Sequence, residues 1–313
     1  GTDLQSYYSK YGGFLIGATI NKYIYITLTK MFEGNLQVKY SKTETVTNVN
    51  DINHPIVREV LKKFKIKGAL EISSNADVPS NTGLGSSSSF TVGLLHNIYI
   101  KFGKYPTKEQ LASEACDIEI NKLKEPIGKQ DQYAASFGGL NIFKFDSSGN
   151  VKVEPLHLTK ETYNTLQNNL LMFYTGLQRK TSTILSEQKR NMRFKNKFES
   201  LKKMVELVWE LRDALYERDF HKFGKILHKN WLLKKQLSSN ISNSGIEQFY
   251  SKALKNGALG GKLLGAGSGG FLLFYCDERN QNKLRKAMSP LRELRFNLDN
   301  EGSKVLYIGD EYY

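Results

Sequence analysis

The chain has little cysteine: two residues, Cys116 and Cys276, among 313. They lie far apart in different expected elements and cannot staple a fold. They read as reduced, buried thiols of a cytoplasmic protein. No long uncharged apolar run is present, which excludes a membrane-spanning helix. The start, Gly1-Thr2-Asp3, has no secretory-signal pattern. The histidines offer no metal spacing. His221 and His228 are seven apart with no cysteine beside them, and His54, His96 and His157 stand alone. Repeats and low-complexity tracts are also missing. Positive charge is plentiful: 45 Lys and Arg against 31 Asp and Glu, a net charge of +14. That excess raises nucleic acid as a partner. The densest run, Lys189-Arg190-Asn191-Met192-Arg193-Phe194-Lys195-Asn196-Lys197, falls on an expected long helix and carries no nucleic-acid-binding motif. It reads as a solvated helix face, with steering of anionic substrates as the second reading.

A chain of this length can bury roughly three-quarters of its unfolded surface, and two domains are expected. The boundary is placed near 155–168, giving 1–160 and 161–313. β-branched and aromatic residues predict strands over 14–20, 23–28 and 35–40. A short basic helix follows over 57–64, then a strand over 69–72. Helices are expected over 90–102, over 107–123 with Thr107 and Gln110 as a capping box, and over 131–137. Strands over 140–145 and 151–156 close the first half. The second half reads as a strand over 170–174 and helix over most of 181–217, which holds no Gly or Pro. Helices are then expected over 220–237 and 244–256. Strands over 258–264 and 271–276 form a hairpin-like unit, followed by a helix over 280–288 and a final strand over 304–308.

The most informative stretch is Pro79-Ser80-Asn81-Thr82-Gly83-Leu84-Gly85-Ser86-Ser87-Ser88-Ser89, between a strand and an apolar-periodic helix. A small, hydroxyl-rich loop opening a helix presents unpaired backbone N–H groups and the positive end of the helix dipole. That is an anion site, and phosphate is the usual anion. The glycines let backbone approach the ligand, and the serines add hydroxyls for phosphate or Mg²⁺. No Lys follows the second glycine as in a Walker A loop, and the spacing is not that of a dinucleotide fold.

Two acids come next. Asp131 opens an expected helix beside Lys129, and Glu119 lies twelve positions upstream near the end of the preceding helix. Alone, Asp131 is a helix-start carboxylate and Glu119 an exposed helical one, like Glu114 and Asp117. A helix–loop–helix turn can bring both together, one to hold Mg²⁺ and the other to accept a proton. A second glycine-rich loop, Gly260-Gly261-Lys262-Leu263-Leu264-Gly265-Ala266-Gly267-Ser268-Gly269-Gly270, joins two apolar strands. A short hairpin needs fewer glycines, so close approach to a ligand or another domain is expected. Asp3, followed by Tyr7-Tyr8, has a frayed end as its plain reading.

In this order the three pieces resemble the GHMP kinases. Residues 79–87 match Pro-x-x-x-Gly-Leu-Gly-Ser-Ser, residues 265–270 look like the third motif, and Asp131-Gln132 looks like the Asp-Gln pair of the sugar-kinase branch. Within the family, several strings resemble the D-glycero-D-manno-heptose phosphate kinases. These are Gly1-Thr2-Asp3-Leu4, the run from Gly85 to Leu94, and Gly128-Lys129-Gln130-Asp131-Gln132-Tyr133-Ala134-Ala135. Phe173-Tyr174-Thr175-Gly176 with Ser186-Glu187-Gln188 adds to them. The resemblance implies a two-domain α+β fold, its N-terminal domain like ribosomal protein S5 domain 2 and its C-terminal domain ferredoxin-like. Kinases of this type carry a Pro-x-Arg-Ile-Ser-like strand ahead of the Gly-Thr-Asp, and the 313 residues begin at Gly1 without it.

Carried over by motif, Asp131 is the catalytic base. Pro79, Thr82, Gly83, Leu84, Gly85, Ser86, Ser87 and Ser88 bind ATP phosphates. Ser87 and Glu119 hold Mg²⁺. Asp3, Gly265, Ala266 and Gly267 meet the sugar. The reaction implied is phosphorylation of the anomeric hydroxyl of heptose 7-phosphate, with another sugar or a non-catalytic binder as alternatives. The partners implied are ATP and a heptose phosphate, with no nucleic acid, no membrane, and a homodimer as the open option for assembly. Arg179 and Lys180 are position-only candidates for the sugar's own phosphate.

Overall fold

The computed structural model describes the backbone of residues 1–177, 181–191 and 194–309. The chain forms two compact units that it visits alternately. One unit comprises 1–18, 80–84 and 140–298, and the other 19–79, 85–139 and the residues from 299 onward.

In the first unit, the residues after Asp3 form helix α1 (Gln5–Tyr11), whose Tyr7 and Tyr8 are buried. The end is therefore folded, not frayed, because these two rings are core. Strand β1 (Gly13–Ile20) pairs antiparallel with β6 (Leu140–Phe145), and β6 with β7 (Val151–Pro155). A short strand β12 (Leu298–Asp299) borders β1. A second sheet has the order β11 (Arg292–Leu294), β8 (Leu170–Tyr174), β10 (Phe271–Cys276), β9 (Ala258–Leu263). In the interior strands β8 and β10, Leu171, Met172, Phe173, Leu272, Phe274 and Cys276 are all core. That explains their unbroken apolar sequence, since a strand covered on both faces has no polar side to alternate.

Helices α6 (Lys160–Asn168), α7 (Thr181–Asn191), α8 (Lys195–Tyr216), α9 (Phe220–Lys235), α10 (Ser244–Lys255) and α11 (Glu278–Met288) complete this unit. The span expected as one long helix is two, α7 and α8, with Phe194 preceding the second. Helix α6 occupies the region read as a domain boundary. Helix α9 lies so close to β9 that a side chain at Gly260 would meet the Gly224 carbonyl oxygen at 1.9 Å.

The second unit holds the sheet β2 (Ile24–Lys30), β5 (Leu70–Ala76), β3 (Leu36–Lys39), β4 (Thr43–Val46), with β3 and β5 parallel. Helix α2 (Pro55–Lys63) and the 16-residue α3 (Ser86–Lys101) share its core through Val57, Val60, Leu61, Val92, Leu94, Leu95 and Ile98. Helix α3 has buried residues on several sides, including Ser88 and Thr91, so it is an internal helix rather than a surface one.

Helix α4 (Lys108–Cys116) is capped by Thr107, whose hydroxyl accepts from the Gln110 N–H at 3.1 Å. The reciprocal half of a capping box is replaced: the Gln110 side chain reaches Tyr99 and Glu114. The chain then widens into a π-helical turn, Asp117–Lys122, before helix α5 (Gln130–Phe137). Residues 304–308, expected as a strand, form none among the described residues, and Val305, Leu306 and Tyr307 are exposed. Cys116 and Cys276 are buried free thiols, and burial pushes the Cys276 thiol up to about 11.

Candidate active site

The loop after β5 divides between the units: residues 80–84 belong to the first, and Gly85 begins the second. Asn81, Gly83 and Gly85 have φ of 59°, 82° and 72°. Three left-handed residues in five give a tight turn that only small side chains tolerate. Helix α3 starts at Ser86, four residues earlier than its apolar pattern suggests, with Gly85 as N-cap and no side-chain cap. The N-cap residue therefore supplies no side-chain acceptor to the first N–H groups of α3. Ser87 is exposed and Ser88 buried.

In the second unit, Gly85, Ser87, Glu119 and Asp131 come together. A side chain at Gly85 would lie 3.3 Å from the Asp131 carboxyl carbon. Asp131 itself is exposed in the first turn of α5. The Ser87 hydroxyl donates to Glu119 Oε1 at 2.6 Å, and Gln132 Nε2 donates to Glu119 Oε2 at 2.7 Å. Ser88 bonds the same carboxyl group. Glu119 is 1 % exposed, so it is not the surface glutamate its sequence context suggests. The widened turn and the Glu125 N–H bond to the Glu119 carbonyl, at 3.0 Å, fix its backbone. Burial raises the Glu119 carboxyl above its ordinary range, and the bonds from Ser87, Gln132 and Ser88 oppose this. Among the described residues no cation partners it.

In the first unit, the two glycine-rich loops touch backbone to backbone. A side chain at Gly83 would meet the Leu264 oxygen at 2.8 Å, one at Gly265 the Gly83 Cα at 2.5 Å, and one at Gly270 the Thr82 oxygen at 2.1 Å. The second loop is held from several directions. Gln188 Nε2 donates to the Ala266 oxygen at 3.4 Å, Lys234 Nζ donates to the Gly265 oxygen, and the Ser268 N–H donates to the Ile241 oxygen at 2.9 Å. Sequence reasoning missed Lys234, which carries no local signal. It met Gln188 only within the Ser186-Glu187-Gln188 string, without a role.

Asp3 is half-buried between the buried Thr2 and α1, and Pro79 is exposed. Leu84 and Ser86 are half-buried, as parts of the loop and first turn of α3. Arg179 and Lys180 lie outside the described residues. Three of the histidines bond within the fold: His54 caps α2, His96 bonds Ser303 at 2.9 Å, and His228 bonds Tyr250 at 2.9 Å.

Two family models match this chain. The GHMP kinases N terminal domain matches residues 52–139, and GHMP kinases C terminal matches 211–290. The D-glycero-alpha-D-manno-heptose 7-phosphate kinase of Campylobacter jejuni is 33% identical over 92% of this chain and 88% of its own length. The galactokinase of Pyrococcus furiosus is 29% identical over 90% of this chain and 87% of its own. Among solved structures, a D-glycero-D-manno-heptose 1-phosphate kinase from Bacteroides thetaiotaomicron superposes with a TM-score of 0.79, at 22% identity, covering 98% of this chain and 95% of that one. This last likeness shows the fold. The chain belongs to the GHMP kinase family. It is a phosphotransferase acting on a sugar hydroxyl, of the two-domain fold that the motifs imply. Kinases of this family use ATP as phosphate donor. No helix among the described residues is long and apolar enough to cross a membrane.

Proposed function

We propose that this chain transfers the γ-phosphoryl group of ATP to the anomeric hydroxyl of D-glycero-D-manno-heptose 7-phosphate, in the cytoplasm, toward nucleotide-activated heptose. The observation that carries this reading is the grouping at the start of α3. The Asp131 carboxyl lies against Gly85, and Ser87, two residues on, bonds Glu119. A phosphate-binding helix start and two carboxylates of different surroundings are the parts that phosphoryl transfer requires. The substrate rests on the 33% identity to the Campylobacter heptose kinase over most of both chains.

The start of α3 receives the ATP phosphates, with the N–H groups of Ser86, Ser87 and Ser88 and the hydroxyl of Ser86 as donors. Pro79, Thr82, Gly83, Leu84 and Gly85 form the approach. Glu119 suits Mg²⁺: it is a buried hard oxygen donor, bonded only by neutral groups and unpaired with a cation among the described residues. Held by Ser87 and Glu119, Mg²⁺ would neutralise charge on the phosphates. Asp131, exposed and poised at a helix start, takes the proton from the anomeric hydroxyl. That hydroxyl is unusually acidic because the ring oxygen withdraws charge. Asp3 and the backbone of Gly265, Ala266 and Gly267 meet the sugar.

The test is ADP release with a panel: heptose 7-phosphate, galactose, fucose and an N-acetylhexosamine. Turnover confined to heptose 7-phosphate, with phosphorus NMR placing the new phosphate on the anomeric oxygen, is the expected result. Preference for another sugar would overturn the substrate. No ADP release with any sugar would overturn the catalytic reading.

A further inference from the structure

We infer that Gln132 is a positioning residue, whose carboxamide holds the buried Glu119 carboxylate by one oxygen and so aims the other, with Ser87, at the cation that accompanies ATP. This rests on the kinase reading above and goes beyond it, because Gln132 touches neither nucleotide nor sugar in that reading.

Three observations support it. Gln132 is fully buried, and its Nε2 donates to Glu119 Oε2 at 2.7 Å. Among the described residues its own Oε1 has no hydrogen-bond partner. A buried amide with an unsatisfied oxygen is unfavourable for folding, and an apolar side chain of the same size would pack without that cost. The amide is therefore kept for its bond to Glu119, which offsets the cost of the orphaned oxygen. Third, the orientation is set by chemistry: an ionised carboxylate only accepts, so the NH₂ end must face Glu119.

This arrangement divides the labour at Glu119. Oε2 is occupied by a buried, neutral donor, while Oε1 faces the exposed Ser87. Without the Gln132 bond, only the Ser87 and Ser88 hydroxyls restrain the terminal torsion of the carboxylate, and its two oxygens are less strictly distinguished. Supporting groups one bond removed from a metal ligand act in this way, and their loss typically lowers metal affinity about 10–100-fold. Asp131 sits on the same helix one residue earlier, so α5 would deliver both the base and the group that steadies the metal ligand.

The test uses Gln132→Met, which keeps the volume and removes the hydrogen bond, in the full chain with a non-hydrolysable ATP analogue and Mn²⁺ as probe. Electron paramagnetic resonance reads free Mn²⁺, and thermal unfolding of the metal-free protein reads the fold. The expected result is Mn²⁺ bound at least about 10-fold more weakly, with the metal-free protein still showing a cooperative melting transition. In turnover, half-saturating Mg²⁺ should rise by the same factor while KM for the sugar stays put. Mn²⁺ binding equal to wild type would overturn the inference. If the Met variant does not fold, Gln132→Asn, which keeps an amide but withdraws it, must weaken Mn²⁺ likewise, and unchanged binding there overturns it equally. A wild type that binds no Mn²⁺ with the analogue defeats the metal assignment under the proposed function instead, so the two failures are distinguishable.

Discussion

Residues 79–85 lead into a helix, and residues 264–270 lead into a strand. Both are rich in glycine, yet the glycines serve different ends. In the first loop Gly85 takes a left-handed conformation so that α3 can start beside Asp131. In the second, Gly265 and Gly270 leave room for the backbone of Gly83 and Thr82. One loop creates a helix terminus. The other is a backbone buttress, with its carbonyls held by Gln188 and Lys234. Composition alone cannot separate these uses. The element that each loop enters, and the backbone that lies across from it, do separate them.

A series of Gly→Ala variants sharpens this comparison. Gly265→Ala should be the most damaging, because left-handed strain and overpacking against the Gly83 Cα add to about 2–5 kcal/mol. Gly85→Ala meets only the Asp131 carboxyl, at 3.3 Å, so its stability loss should be the conformational term of about 1–2 kcal/mol. Its turnover should fall more than its stability, because Asp131 is pushed aside. Gly34→Ala, at φ 77° with nothing within 4 Å, isolates the conformational term away from both loops. Denaturant melts on all three should rank Gly265 first. Equal losses at Gly265 and Gly34 would refute the buttress.

Smaller in effect, and opposite in sign, is Glu119→Gln. Burial raises this carboxyl, so its contribution to stability is lost as pH rises through the folded-state value. The metal-free variant should melt higher than wild type above that value, with the gap closing as pH falls toward the ordinary glutamate range. Its phosphoryl transfer should drop at the same time. A variant that melts lower at pH 8 would show that Glu119 is structural.

Much of this site is legible in the sequence, because it is built from local signals. The serine-glycine loop, the acid at position 131 and the hairpin around the second loop each announce themselves within a dozen residues. Glu119 is legible only through its spacing from Asp131, since its burial comes from α3 and α5 and not from its own helix. The start of α3 is read four residues late because Ser86 to Ser89 look like loop, whereas hydroxyl residues are well suited to a helix start. The contact of Gly83 with Gly265 joins positions far apart in the chain, and no periodicity reports it. Helix α1 and strand β4 are too short for a periodic signal. Residues 304–308 have strand-like composition without a neighbouring strand to pair with among the described residues, and β-propensity without a partner does not make a sheet.

The central claim is that Asp131 readies the sugar oxygen while the start of α3 holds the nucleotide. Asp131→Asn tests it most directly, with kcat measured beside the dissociation constant of an ATP analogue. The expected result is a kcat lower by about 10²–10⁴ with nucleotide binding and melting temperature near wild type. Turnover at the wild-type rate would contradict the account.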